Sequence, residues 1–179
     1  MAVRLPRALH PFRTGQYRIL AIALVMASAG VPMSWCLLVV MFAPRRTEAC
    51  VLDGVNAVAF GNYDVYANSD VAVLGGVRYH CIISLSIRID ISTGSSGSYA
   101  MRKMTRTAGG TDTLSYQLFT DASGAPAAVW GNGTTGTTRY GPVLGLLTNT
   151  TVPIYAILYK KQNVQTGAYS DTVVVTLNY

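Results

Sequence analysis

Period-two alternation is the feature that most constrains this chain. From Val77 to Ile91, the residues Val77, Tyr79, Cys81, Ile83, Leu85, Ile87, Ile89 and Ile91 share one parity. Arg78, His80, Ser84, Ser86, Arg88 and Asp90 take the other, with Ile82 the exception. Successive side chains of a strand point to opposite faces, so the pattern predicts a strand lying on a core by one face. Tyr169–Tyr179 repeats it: Val173, Val175, Leu177 and Tyr179 fall on one face, and Thr172, Val174, Thr176 and Asn178 on the other. No stretch after Cys50 keeps a 3.6-residue period long enough for a helix. The body is predicted to be all-β, a sandwich of short strands separated by turns.

Other stretches fill in the order. Val58–Tyr63 reads as a short strand closing on a turn, and Asn68-Ser69-Asp70 as a second turn. Gly75-Gly76 opens the alternating run. Ser92–Tyr99 and Thr107–Asp112 are polar loops; Thr113–Thr120, Ala127–Trp130 and Val152–Tyr159 are predicted strands. Pro153 suggests an edge strand or a strand start, because proline cannot donate to a ladder. Gly131–Gly136 fits G-x-G-x-x-G as a string. It lacks the strand-to-helix context that a dinucleotide site needs, and reads as a loop.

Charge divides the chain in two. Before Cys50 there are six arginines against Glu48, a balance of +5; from Cys50 onward eight Lys/Arg face seven Asp, a balance of +1. The body has no basic stripe to neutralise phosphates, which argues against nucleic-acid binding. The N-terminus has the layout of a secretory leader. Residues 1–18 carry four arginines and no acid, and Ile19–Ala43 then runs for 25 residues without a charge. Ala27-Ser28-Ala29 is a cleavage-type sequence, followed by Gly30 and Pro32. The length of the run also suits a membrane span, and Arg45-Arg46 beyond it resists export. The two readings are cleavage, after Ala29 or nearer Thr47-Glu48-Ala49, and a retained anchor. The predicted division is a leader with a possible N-terminal extension over 1–49 and one domain over 50–179.

Cysteine use follows from compartment. In an exported chain Cys50 and Cys81 most simply pair with each other; in a reducing compartment they would be two buried thiols. Cys36 lies inside the apolar run. No C-x-x-C occurs, and the histidines are His10 and His80 alone, so no metal site and no cofactor are expected. His80 falls on the outward parity with no evident carboxylate or nucleophile beside it, and the chain is not expected to be an enzyme.

The terminal strand is also an edge hazard, since unpaired backbone groups invite another chain to pair. It reads either as an ordinary last strand or as one that a partner pairs with during assembly. Four pieces carry a resemblance that bears on these readings. Ser92–Tyr99, Leu114–Asp121, Val129–Thr134 and Tyr169–Tyr179, in this order, resemble the spore coat protein U family. The resemblance covers about Cys50 to Tyr179. It implies an incomplete immunoglobulin-like sandwich, completed by a donor strand, in a subunit of an archaic chaperone–usher pilus. It further implies a periplasmic chaperone, an outer-membrane usher and other pilus subunits as partners, and passage through the periplasm to the cell surface. The family's cysteine pair matches Cys50 and Cys81. Val173, Val175, Leu177 and Tyr179 become the implied assembly strand. The extension departs from the family pattern: Trp35–Phe42 is continuously apolar where apolar residues usually alternate with Thr or Ser.

The expected function is a structural subunit of a pilus or coat that contributes to surface attachment or biofilm formation. The alternative is a tip adhesin-like module recognising a surface or glycan. Loops of Gly, Ser and Thr favour the former, because an adhesin should expose large loop side chains. The leader generates the first prediction. Exported protein should begin downstream of Arg18 and upstream of Cys50 on N-terminal sequencing; recovery of the intact N-terminus in the inner membrane would favour the anchor.

Overall fold

The computed structural model describes residues 49–179. They form two antiparallel sheets, built from β1 (Cys50–Asn56), β2 (Val71–Cys81), β3 (Ser86–Ile91), β4 (Arg102–Arg106), β5 (Thr113–Phe119), β6 (Tyr140–Leu144), β7 (Thr150–Leu158), β8 (Tyr169–Ser170) and β9 (Val175–Asn178). One sheet has the order β1-β2-β7-β5-β4-β8 and the other β6-β3-β9. The core lies between them. Val77, Tyr79, Ile87, Ile89, Leu114, Tyr116, Trp130, Ile154 and Val173 are all buried there. The expected all-β sandwich is the observed architecture.

The long alternating run is two strands, not one. β2 ends at Cys81 in the larger sheet, and β3 begins at Ser86 in the smaller. Parity survives the crossing: Val77, Tyr79, Cys81, Ile87, Ile89 and Ile91 are buried. Ile83 was expected inward but is exposed, because the connection passes the end of the core. The terminal run is divided in the same way. Tyr169-Ser170 pairs with β4 and Val175–Asn178 with β3. Alternation reports the side a residue faces, not the sheet it joins.

Other expectations are corrected. β2 starts before Gly75-Gly76, which lie inside it. A Cβ on Gly75 would lie 2.9 Å from both Asn56 O and Val58 Cγ2, so the glycine lets the chain after β1 press against the strand. Pro153 lies inside β7, a central strand. Pairing with β5 stops at Tyr155, while pairing with β2 continues to Thr150. At Pro153 the strand therefore has a neighbour on one side only, and the missing N–H is tolerated. Val58–Tyr63 is not a named strand, although Val58 and Phe60 are buried.

The crossing from β8 to β9 rests on a buried polar cluster. Arg102 is fully buried on β4. Its guanidinium donates to Ser92 O at 2.9 Å, to Trp130 O at 2.6 Å and to Gln117 Oε1. Asp171 is also buried, and its carboxylate accepts from Tyr116 Oη at 2.7 Å and from Ser95 N at 2.8 Å. Ser92 Oγ accepts from Val174 N at 2.8 Å. Burial, and the hydrogen bond to Asp171, hold the Tyr116 phenol well above its usual pKa, so it remains a donor. Burial pulls the Arg102 pKa down, while Tyr116, Tyr99 and Asp171 nearby oppose that shift. Gly94 is part of the same packing: its φ is +73°, and a Cβ there would lie 2.2 Å from Asp171 Oδ2.

Arg102→Met should preserve much of the volume but leave Ser92 O and Trp130 O without this donor, while Gln117 Oε1 keeps Leu118 N at 3.1 Å. At ~1–2 kcal/mol for each buried unsatisfied group, urea denaturation should show a loss of about 2–4 kcal/mol. A loss under 1 kcal/mol would mean that water replaces the guanidinium.

Candidate functional site: an open side between two edge strands

β1 is an edge of the larger sheet and β9 an edge of the smaller. The two strands approach each other on one side of the sandwich. Among the described residues, no strand pairs with the second edge of β9. The apolar side chains here are only partly covered: Leu52 and Val55 on β1, and Leu177 on β9, pack against the core from this side without being buried.

The four residues of the expected assembly strand do not behave alike. Val173 and Val175 are buried, at 0% and 3% exposure. Leu177 is partly buried, and Tyr179 is 57% exposed. Val175 and Leu177 pair with Ile91 and Ile89 of β3, while Val173 precedes the strand and fills the core. The inward face of the terminus thus opens progressively toward the end of the chain. Asp90 on β3 is hydrogen-bonded by Asn178 Nδ2 at 3.0 Å on the outward face, which helps to hold β9 in register.

Cys50 and Cys81 form a disulfide, 31 residues apart and with Cα atoms 4.0 Å apart. They are cross-strand partners in the β1–β2 pairing. The bond ties the first residue of an edge strand to the last residue of its neighbour, at one limit of the open side. Further along β1 the ladder shifts register between Leu52 and Gly54, and Asp53 sits in the irregularity. His80 was expected to have no carboxylate beside it. Instead its Nδ1 lies 2.8 Å from Asp53 Oδ1, because the bulge turns that side chain onto β2. The pair is part-exposed and clips β1 to β2. Two surface depressions of the described body, one beside Tyr63 and Tyr169 and one beside Tyr99 and Val129, are lined without histidine or carboxylate. Among the described residues, no group of three or more His, Cys, Asp or Glu is placed to hold a metal ion.

The loops also differ from expectation. The Gly-Ser-Thr loops are present, but the β2–β3 and β6–β7 connections expose Ile82, Ile83, Leu146 and Leu147. Sequence reasoning put the first pair in a continuous strand and did not single out the second. Their signal was available: both are apolar doublets, which break period two.

A two-sheet, disulfide-tied sandwich with an unpaired edge on each side of one opening is the class of protein that these strands define. The chain belongs to the Spore Coat Protein U domain family, whose model matches residues 37–176. Protein U of Myxococcus xanthus is 36% identical over 137 residues, covering 70% of this chain and 73% of that protein. Among solved structures, this chain is similar to one in the pre-assembly complex of the chaperone CsuC with the tip adhesion subunit CsuE, from the archaic chaperone–usher Csu pili of Acinetobacter baumannii. The sequence identity is 20% and the TM-score 0.46, covering 60% of this chain and 34% of that one. The family match begins inside the apolar run, upstream of the boundary expected at Cys50. The leader and the expected cut points lie outside the described residues.

Removing the disulfide with Cys50→Ser and Cys81→Ser together should cost about 2–5 kcal/mol, the usual range for a small exported domain. Thermal melts of oxidised and doubly substituted protein test it; equal melting temperatures would show that the β1–β2 ladder holds β1 without the bond.

Proposed function

We propose that this chain is a structural subunit of an extracellular pilus or coat, assembled by strand addition at the open side. The observation that carries the reading is the edge of β9. It is paired on one side with β3, and Leu52, Val55 and Leu177 stand half-covered at the opening. A strand from another chain would satisfy the free backbone groups of β9 and cover these side chains, main-chain bonds giving affinity and alternate side chains specificity. By the family resemblance, a periplasmic chaperone supplies the first such strand, and the N-terminal extension of a neighbouring subunit replaces it at the outer-membrane usher. Val173, Val175, Leu177 and Tyr179 are then the assembly strand. The product is a surface fibre or coat, and attachment or biofilm formation follows from what the fibre contacts. The domain that does this runs from Cys50 to Tyr179.

The energetic argument is simple. Each large apolar side chain left wet forfeits ~1.5–3 kcal/mol, and a whole domain is stable by only ~5–15 kcal/mol. Two or three half-covered positions are a sizeable fraction of that margin. The body should therefore accumulate in the periplasm only when a partner chaperone is co-expressed. Val175→Asp, which buries a charge in the core face of β9, should abolish accumulation even with the chaperone. Isolation of the body as a soluble, cooperatively melting monomer, without chaperone or added peptide, would overturn the reading.

A further inference from the structure

The two ends of the sandwich differ in a matching way. At the disulfide end, Ile82, Ile83, Leu144, Leu146 and Leu147 are 49, 52, 63, 51 and 63% exposed. Singly exposed leucines are ordinary on a protein surface, but a contiguous group marks a contact. No charged residue interrupts either stretch, Ile82–Leu85 or Leu144–Asn149. Cys81 N donates to Leu146 O at 3.2 Å and Gly145 N to Leu85 O at 2.6 Å, which fastens the two stretches into one held surface. The opposite end, where β2 starts and β7 stops, carries a depression of about 410 Å³ between the β1–β2 and β7–β8 connections. Tyr63, Val65, Leu114, Val164 and Tyr169 supply its apolar lining, and no charged residue lines it. Its wall is preformed: Tyr169 Oη donates to Gln165 O at 2.7 Å, Gln165 N to Asp112 Oδ2 at 3.1 Å and Gln162 N to Tyr63 Oη at 2.8 Å. A cavity on the order of 150 Å³ takes a benzene-sized group, so this one has room for two leucine side chains.

The topology sets which end meets which. Every ladder between the named strands is antiparallel. β9 runs toward the disulfide end, since Val175 pairs with Ile91 at the end of β3 and Asn178 with Arg88 near its start. A strand added antiparallel to β9 therefore runs away from the disulfide end and leaves by the other. A neighbour that supplies this strand ahead of its own Cys50 has its body there. Cys50 is the first residue of β1 and half of the disulfide, so that body is entered at its disulfide end. Its apolar surface then faces the depression of the subunit it completes. We infer that Leu146 and Leu147 of one copy seat in the depression beside Tyr63 and Tyr169 of the next. The occupant is a second copy of this chain, met end to end. Such a contact joins two different patches, so it repeats along a file of copies instead of closing on a pair. The orientation rests on strand addition at β9, as proposed above, and the contact adds a face between the bodies themselves.

Paired thiols test this in the full exported chain, with Cys36→Ser so that the introduced thiols are the only free ones. Asn62→Cys at the rim of the depression together with Leu147→Cys in the apolar surface should give a ladder of disulfide-linked copies on mild oxidation. Mass spectrometry of non-reduced peptides should find positions 62 and 147 joined. Leu146→Cys in place of Leu147→Cys should do the same, so the test does not depend on a single variant folding. Adding Leu146→Glu to the Asn62→Cys and Leu147→Cys pair should weaken the ladder at least about tenfold, because it drives a charge into an apolar cavity. Either thiol substitution alone should give no ladder. Dimers from Leu147→Cys alone would show two apolar surfaces meeting face to face and would overturn the proposal. Accumulation without a chaperone reports on strand addition and is scored separately. A body that is a stable monomer alone, yet gives the ladder at raised concentration, keeps this contact and loses strand addition. Fibres that give no ladder with either patch thiol keep strand addition and overturn this contact, and a stable monomer that gives no ladder overturns both.

Discussion

The sandwich depends on a guanidinium in its interior. Arg102 gathers Ser92, Gln117 and Trp130, which come from the end of β3, from β5 and from the loop after it. Asp171 stands close by with Tyr116 and Ser95. This cluster lies where the chain leaves the larger sheet at β8 and enters the smaller at β9. Buried charges are tolerated only when they are hydrogen-bonded and compensated, and such a cluster is unforgiving of change in any one member. The terminal strand, and so the edge that it presents, takes its position from this cluster.

The other end is held covalently. The register places Cys81 beside Cys50, with β7 beginning nearby through the Tyr79–Thr150 pair. Tyr116, in the polar cluster, pairs instead with Leu158, which in turn pairs with Val71 at the far end of β2. The disulfide and the arginine cluster thus fasten opposite halves of the body. Between them lies the side where β1 and β9 meet without a strand to join them. An opening of this kind persists only if its borders are held by something other than a strand between them, and these two fastenings supply that.

A good part of this was legible in the residues. Alternation in Val77–Ile91 and Val173–Tyr179 marked core faces correctly for most positions. Motif order at Ser92, Leu114, Val129 and Tyr169 marked the family. β4 was missed because Arg102 occupies an inward position, so Arg-Lys-Met-Thr-Arg shows no apolar alternation even though Arg102 and Met104 are both buried. β6 was missed because Tyr-Gly-Pro-Val-Leu carries glycine and proline, which read as a turn. The Asp53–His80 pair was missed because it arises from a bulge, and a bulge has no period.

What the sequence determined by itself was the period of the backbone, and with it the all-β class and the inward parity of residues such as Cys81 and Val175. Period two follows from local stereochemistry, so it can be read one strand at a time. Only the tertiary structure decided which sheet each segment joins. It cut one alternating run between Cys81 and Ser86 and another at Asp171, placed Pro153 in a central strand, and left β1 and β9 as facing edges. Those choices depend on hydrogen bonds and packing between residues far apart in the chain, such as Arg102 with Trp130 and Asp171 with Ser95, and no local pattern encodes them.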